Sequence, residues 1–305
     1  MAGIQLSLLA LFSICLLLFT SGVFSATFTI TNQCSYPVWP GLLSGAGTPQ
    51  LSTTGFALNP GASTTVPIPT SWSGRVWGRT LCSTDPTTGK FTCVTADCGS
   101  GTIECNGAGA IPPSTLAEFT LNGANGLDFY DVSLVDGFNL PMLVVPQGGT
   151  GGGNCTATGC IVDLNNSCPV ALQVIDNATG SECVACKSAC ETFGNPMYCC
   201  TGTYATPNTC HPTSYSLFFK NACPRSYSYA YDDGTSTFTC ASANYVITFC
   251  PTPAASQKSS GVQGENPVAT NISSSGNLSC TTSPFLFITT FVVILSVFRS
   301  SRHLN

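Results

Sequence analysis

Charged side chains are scarce in this chain. Asp, Glu, Lys and Arg make up only 8% of its 305 residues, against about a quarter in an average soluble domain. The 9 basic residues are outnumbered by 14 acidic ones, which gives a net charge of −5. Proteins that bind nucleic acid need clustered Lys and Arg to neutralise the phosphates. The composition therefore excludes nucleic acid as a partner.

Histidine is scarcer still, since the chain contains only His211 and His303. Two residues leave almost nothing from which to build a histidine-based metal site or a catalytic triad. The carboxylates do not follow the spacing of an EF-hand calcium loop either. We therefore expect neither a metal nor a cofactor.

Cysteine and turn-forming residues are abundant instead. The chain has 19 Cys, 30 Gly and 20 Pro, and 43% of its residues are hydrophobic. That hydrophobic fraction is too high for a disordered chain, and so many cysteines are typical of proteins that fold in an oxidising compartment. A secreted domain held together by disulfides fits this composition.

The N-terminal segment supports secretion. An apolar stretch is followed by small residues up to Ser25 and Ala26, so we interpret residues 1–25 as a signal peptide. A membrane anchor is the weaker alternative because a cysteine-rich body with N-glycosylation sequons follows. Five asparagines begin such sequons: Asn154, Asn165, Asn177, Asn271 and Asn277.

The C-terminal region has a different composition. Residues 252–284 are rich in Ser, Gly, Asn and Pro, which predicts a flexible stalk. The tail, residues 285–305, begins with an apolar run of 14 residues, shorter than the ~20 that span a bilayer. Small residues around Ser274 precede it, in the order of a GPI-attachment signal with Ser274 as the attachment site. Two arginines near the end leave a short single-pass anchor as the alternative.

Residues 26–251 are predicted to form one mainly β domain. Their hydrophobic residues alternate with period two, as in half-buried strands. Phe28 and Ile30 share one predicted face, and further on Arg75 lies opposite Val76. The predicted architecture is a β-sandwich followed by a cystine-rich lobe.

Two segments of this domain have helical character. The pattern predicts helices over residues 185–193 and 215–222, the second preceded by Thr213 and Ser214 as capping candidates. These helices are expected within the cystine-rich lobe.

One segment carries a specific pattern of cysteines. Residues 89–105 read G-K-F-T-C-V-T-A-D-C-G-S-G-T-I-E-C, which resembles the signature of the plant thaumatin-like (osmotin-like) protein family. The likeness covers residues 26–251 and implies a mainly β, thaumatin-like β-sandwich with a disulfide-rich lobe that carries short helices. Further matching segments are residues 77–80, 115–119, 127–137, 198–200 and 223–229.

The resemblance also implies eight disulfides. Carried over in order, they are Cys34–Cys250, Cys82–Cys93, Cys98–Cys105, Cys155–Cys240, Cys160–Cys223, Cys168–Cys186, Cys190–Cys199 and Cys200–Cys210. Cys183 is then a seventeenth cysteine of the domain, where the family pattern has sixteen. We expect a free, partly buried thiol; pairing with Cys168 in place of Cys186 and capture of an outside thiol are the alternatives.

In the family that the chain resembles, the ligand binds in a cleft between the β-sandwich and the cystine-rich lobe. The positions that match its charged residues are Arg75, Glu118, Asp131, Asp136 and Asp232. Four carboxylates around one arginine would make an acidic groove, and glycoside hydrolysis needs a carboxylic acid and a second carboxylate. Glu118 is the predicted acid and Asp136 its partner. For Asp131 and Asp232, a structural ion pair is an equally good interpretation.

Aromatic and acidic neighbours of these positions need separate interpretation. Four aromatic residues are candidate sugar-stacking platforms, although aromatic residues on strands more often belong to the core. They are Phe129, Tyr130, Tyr229 and Tyr231. Asp128 and Asp233 are expected to be solvated neighbours of the groove.

Three functions remain open at this point. The first is a monomeric defence protein of the cell surface that binds cell-wall β-1,3-glucan and has an antifungal role. A lipid would tether it to the outer leaflet of the plasma membrane, or it would be held in the wall. The alternative is a weak endo-β-1,3-glucanase that uses Glu118 and Asp136. The third is a non-catalytic module for protein interactions in the wall. The domain carries a charge of −7, which disfavours an acidic polymer as ligand.

Overall fold

The computed structural model describes residues 24–150, 154–176 and 180–252. The predicted attachment site Ser274, the sequons at Asn177, Asn271 and Asn277, and the tail lie outside the described residues. Among the described residues, no helix is long and apolar enough to cross a membrane.

Thirteen strands and four short α-helices are present in that part of the chain. The strands are β1 (Phe24–Asn32), β2 (Trp39–Ser44), β3 (Ser63–Pro69), β4 (Ser73–Thr84), β5 (Phe91–Thr95), β6 (Leu116–Thr120), β7 (Asp128–Ser133), β8 (Met142–Gln147), β9 (Thr158–Cys160), β10 (Gln173–Asp176), β11 (Glu182–Cys186), β12 (Phe238–Cys240) and β13 (Asn244–Phe249). The helices are α1 (Ala189–Phe193), α2 (Pro196–Cys199), α3 (Ser214–Ala222) and α4 (Asp233–Ser236). The predicted mainly β class is confirmed.

Two large sheets form the sandwich. One has the order β3-β1-β13-β8-β9, and the other runs β12-β7-β6-β4-β2 with β5 paired to β4. Strands β1 and β13 pair in parallel, with Phe28 opposite Tyr245, so the first and last strands of the domain are neighbours. A separate hairpin, β10-β11, belongs to the lobe.

The predicted alternation is confirmed in the core between the sheets. Phe28 and Ile30 on β1 are fully buried, as is Val76 on β4. The Phe28 ring meets Trp72 edge-on at 5.6 Å and Tyr245 edge-on at 6.0 Å, measured between ring centroids. Edge-to-face contacts of this kind stabilise a core beyond the area they bury.

The helix predicted at residues 185–193 begins later than expected. Ala185 and Cys186 end strand β11, because Cys186 exchanges two backbone hydrogen bonds with Phe138, at 2.7 and 2.8 Å. Helix α1 begins at Ala189 after Ser188, whose hydroxyl accepts from the Glu191 N–H. The second predicted helix is confirmed as α3, which Thr213 caps.

The structure contains eight disulfides, the number that the resemblance implies. They join Cys34–Cys250, Cys82–Cys93, Cys98–Cys105, Cys155–Cys240, Cys160–Cys223, Cys168–Cys186, Cys190–Cys199 and Cys200–Cys210. Cys183 is the free cysteine of the described residues and is half-buried. Pairing of Cys183 with Cys168 is therefore excluded in this fold.

A buried arginine ties the second sheet to the cystine loop at residues 96–111. Arg79 on β4 has no exposed surface. Its Nε donates to the Trp39 carbonyl at 3.0 Å, and its Nη2 donates to Pro40 at 3.1 Å and to Ile103 at 2.6 Å. The side chain thus satisfies carbonyls of strand β2 and of the loop at once.

Two carboxylates compensate that buried charge. Burial lowers the pKa of Arg79 to about 10, while the charges of Asp97 and Glu104 oppose the shift. Glu104 accepts hydrogen bonds from the hydroxyls of Thr53 and Thr54, at 2.9 and 2.6 Å, and from the Thr54 N–H. Although burial opposes them, these bonds keep the pKa of Glu104 below its usual value.

We predict that Arg79→Met lowers the free energy of unfolding by about 3–5 kcal/mol, because three main-chain carbonyls lose their donor and Asp97 and Glu104 lose the nearby positive charge. Urea denaturation of the disulfide-intact protein measures this change. Lys90→Met removes the same charge from an exposed position and should cost less than about 0.5 kcal/mol. Similar losses in both variants would contradict the structural role assigned to Arg79.

Candidate functional site

Three of the predicted cleft residues form a row across neighbouring strands. Arg75 on β4 lies opposite Glu118 on β6, and Glu118 lies opposite Asp131 on β7. Side chains in such cross-strand pairs have Cβ atoms about 5 Å apart. All three are half-buried, and their strands turn the intervening residues, such as Val76, into the core. We call Arg75, Glu118 and Asp131 the acidic row.

The next residues on the same face set the limits of the acidic row. On one side, Trp77 pairs with Leu116, and both are buried against Ala96 of the cystine loop. On the other side, Thr120 pairs with the half-buried Phe129. The row therefore lies between the loop and an aromatic side chain that could pack on a sugar ring.

Asp136 lies in a turn rather than on a strand of the acidic row. Its carbonyl accepts from the Ser114 N–H at 2.9 Å. The next residue, Gly137, has φ +87, and an added Cβ would lie 2.6 Å from the Cys186 carbonyl and 3.2 Å from the Ser188 nitrogen. Only glycine fits there, so the turn packs tightly against the start of helix α1.

The Asp232 side chain forms an ion pair and hydrogen bonds within the lobe. Its Oδ2 pairs with the Lys220 ammonium at 2.9 Å and accepts from the Ser228 N–H and hydroxyl, both at 3.0 Å. This is the arrangement of a structural ion pair, the interpretation that the sequence left open for Asp232. The structure thus gathers Arg75, Glu118 and Asp131 and gives Asp232 a separate network.

Tyr227 connects the acidic row with the lobe. Its N–H donates to the Val132 carbonyl at 2.9 Å, which docks the segment beside β7. Its hydroxyl donates to Asp233 at 2.8 Å. Burial, followed by the charge of Asp131, raises the pKa of this tyrosine. Tyr227 is therefore close to Asp131 of the sheet and to Asp233 of the lobe.

The prediction for Asp128 is wrong, and for Tyr130 the structure favours the core interpretation over the sugar platform. Asp128 is not solvated: it is 6% exposed and accepts from the Tyr245 hydroxyl at 2.9 Å and the Asn122 N–H at 2.8 Å. Tyr130 is not a sugar platform, since it is 1% exposed and its hydroxyl donates to the Thr156 carbonyl at 2.7 Å. Both belong to the core network because β7 turns its even-numbered residues inward.

The structure adds a carboxylate that sequence reasoning missed. Glu191 on helix α1 lies within the electrostatic field of Asp136, and its Oε1 pairs with Lys187 at 3.5 Å. Its Oε2 is buried without a hydrogen-bond partner among the described residues. The spacing Ser188-x-x-Glu191 is that of a capping box and could have located it. The prediction that the helix begins at residue 185 placed Ser188 inside the helix, so the capping box was not recognised.

Burial and the charge of Asp136 raise the pKa of Glu191, while Lys187 opposes the rise. Glu191 is thus a carboxyl that is harder to ionise than usual, next to the turn that carries Asp136. A groove with carboxyls in unlike environments can supply both a proton donor and a base.

Two sequons lie within the described residues. Asn154 is exposed, and its amide donates to the Thr237 carbonyl at 3.1 Å. Asn165 is half-buried, and its amide donates to the carbonyls of Asn139 at 3.0 Å and Val184 at 3.2 Å. Asn154 therefore offers the more accessible attachment point.

The fold and the acidic row together define a disulfide-rich β-sandwich protein of the thaumatin-like class. The model described as "Thaumatin family" matches residues 32–251, and the chain belongs to that family. The family resemblance drawn from the sequence is thereby confirmed. Thaumatin-like proteins are generally secreted or extracellular.

The chain is similar to several characterised plant proteins. It is 58% identical over 231 residues to Thaumatin-like protein 1 of Arabidopsis thaliana, covering 74% of this chain and 86% of that protein. It is 56% identical over 231 residues to a glucan endo-1,3-beta-glucosidase of Prunus avium, covering 75% and 92%. It is 52% identical over 252 residues to Pathogenesis-related thaumatin-like protein 3.5 of Cryptomeria japonica, covering 82% and 99%. Its family is thus that of the pathogenesis-related thaumatin-like proteins.

We predict that the stability of a Glu191→Gln variant relative to the wild type rises with pH. Because the folded state raises the pKa of Glu191, its stabilising contribution is full below the unfolded pKa and is lost as pH rises through the folded pKa. Glutamine stays neutral throughout, so the variant should gain on the wild type as the pH rises above about 4.3, the ordinary pKa of glutamate. Urea midpoints across this range measure the difference.

A second variant tests the cause of this pH dependence. Lys187→Met removes the cation that lowers the pKa of Glu191, so its stability should fall more steeply with rising pH than that of the wild type. A stability difference between Glu191→Gln and wild type that does not change with pH would contradict the burial assigned to this carboxyl.

Proposed function

We propose that the protein binds the neutral β-1,3-glucan of cell walls along the acidic row, as an antifungal defence protein of the cell surface. The observation that carries this proposal is the cross-strand row Arg75–Glu118–Asp131, half-buried on rigid strands. Ionised carboxylates are pure hydrogen-bond acceptors, and sugar hydroxyls are donors that match them. In this proposal Asp136 supplies a further acceptor, and the half-buried Phe129 offers a ring face next to the row.

The charge of the domain supports a neutral ligand. Residues 26–251 carry a net charge of −7, and the acidic row contains two carboxylates and one guanidinium. An acidic polysaccharide would meet repulsion at long range and at the site. A glucan meets neither, and its C–H faces can pack on aromatic rings.

A weak endo-β-1,3-glucanase is the second candidate. The similarity to the Prunus avium protein named glucan endo-1,3-beta-glucosidase supports it. In that case Glu118 would donate a proton to the glycosidic oxygen, and Asp136 would act as base or nucleophile. Both carboxyls also serve the binding proposal, so activity must be measured together with affinity.

We predict that Glu118→Gln weakens binding to a soluble β-1,3-glucan by about 2–10-fold, the value of one hydrogen bond. Asp131 and Asp136 remain as acceptors, which limits the loss. Any release of reducing ends should fall much further, by ~10²–10⁴-fold, because a proton donor is lost. Calorimetry and a reducing-sugar assay on the same protein separate the two effects.

Glu182→Gln is the matched control, since it removes the same charge from an exposed position on the β10-β11 hairpin. It should leave glucan affinity unchanged. Equal binding by wild type and by the double variant Glu118→Gln/Asp136→Asn would exclude the acidic row as the binding site. Activity that survives in this double variant would exclude the glucanase mechanism given above.

The proposal includes attachment of the mature protein to the outer leaflet of the plasma membrane through a GPI lipid at Ser274. Its support is the order of small residues, spacer and a 14-residue apolar run in residues 273–298. We predict that a phosphatidylinositol-specific phospholipase releases the protein from intact cells. Retention of the protein together with a peptide that contains Arg299 would identify a transmembrane anchor instead.

A further inference from the structure

A pocket of about 570 Å³ lies between the sandwich and the β10-β11 hairpin, apart from the acidic row. Tyr36 and Leu81 line it from the sandwich side, and Ile175, Glu182 and Cys183 from the hairpin. Its volume lies within the range of about 300–1,000 Å³ that is typical of small-molecule sites. None of the three residues of the acidic row is among those that line it.

The pocket is negatively charged. Asp163 and Glu182 line it, and no Lys, Arg or His is among the described residues that form its wall. Burial, followed by the charge of Asp163, raises the pKa of Tyr36. Burial chiefly raises the pKa of Cys183, and the charge of Asp163 adds to that rise. In a concave site, carboxylates without a cationic partner raise the local concentration of cations.

Apolar surface converges on the same pocket. Tyr36 and Leu81 are each 42% exposed and Ile175 is 39% exposed, so all three are exposed large hydrophobic side chains. Single exposed hydrophobic residues are ordinary, but several around one concavity mark an interaction site. Tyr36 also offers an aromatic face, on which an ammonium group is attracted to the ring.

We propose that this pocket binds an organic ammonium ion that has an apolar body. The ammonium group lies near Asp163 and Glu182, and the carbon skeleton packs against Leu81 and Ile175 with the Tyr36 ring alongside. Binding here is independent of the glucan groove, since the two sites share no residue.

Cys183 provides a built-in reporter of this site. It lines the pocket, is the free cysteine of the described residues, and its thiol donates to the Ala185 carbonyl at 3.2 Å. Methanethiosulfonates transfer their thioalkyl group to a thiolate and release methanesulfinate, so the rate of labelling reports which charges enter the pocket. A Cys183→Ser variant identifies any labelling at another cysteine.

The experiment compares two reagents of similar size on the full mature protein. A trimethylammonium-ethyl methanethiosulfonate should label Cys183 at least about tenfold faster than the sulfonatoethyl reagent, after each rate is divided by its rate with free cysteine. Glu182→Gln and Asp163→Asn should each reduce this ratio. Glu182 is the safer variant, because Asp163 also accepts from the Asn165 N–H at 3.1 Å.

Ligand protection completes the test. 2-Phenylethylammonium should slow the labelling of Cys183 in a saturable manner, and uncharged 2-phenylethanol should not. Equal normalised rates for the two reagents, or equal protection by the alcohol, would overturn the proposal. Labelling that occurs only after enzymatic removal of N-glycans would also overturn it, because a glycan on Asn165, which lines the pocket, would then be the occupant.

Discussion

The rest of the domain depends on the register in which strand β4 pairs with its neighbours. This strand pairs with β2 on one side and β6 on the other, and its side chains alternate between the two faces of the sheet. Val76 enters the core, while Arg75 and Arg79 point to the opposite face. A slip of one residue would exchange these faces, exposing Val76 and forcing both arginines into the apolar core. The register of this strand therefore sets the sandwich and the site together.

The two arginines of β4 have opposite roles although they lie on the same face. Arg79 is fully buried and its donors are taken up by main-chain carbonyls. Arg75 is half-buried opposite Glu118. The difference arises from the cystine loop, which packs on Trp77 and whose Ile103 carbonyl accepts from Arg79. A chain with so few charges thus uses one cation to hold its structure and keeps another half-buried in the acidic row.

The lobe relies on covalent links more than on apolar packing. Its hydrophobic cluster has nine buried residues, of which four are half-cystines: Cys160, Cys168, Cys186 and Cys223. Disulfides of this kind stabilise a domain by about 2–4 kcal/mol each, chiefly by restricting the unfolded chain. Tyr227 docks the lobe against β7 beside Asp131 of the acidic row, and the turn at Asp136 packs on the start of helix α1. Glu191 lies near this turn as well, because helix α1 begins where the turn packs against it.

Short stretches of the sequence were sufficient to predict much of the fold of this protein. The alternation that places Phe28 inside and Arg75 outside repeats every two residues, so a short window of sequence contains it. The cap of α3 at Thr213 is local as well, and the cysteine spacing named the family with its eight bridges. What only the tertiary structure decided depends on partners far apart in the chain. Asp128 is buried because Tyr245, 117 residues later, donates to it; β10-β11 closes a charged pocket over Tyr36. Burial and electrostatic environment are set by such long-range neighbours, and no short window of sequence contains them.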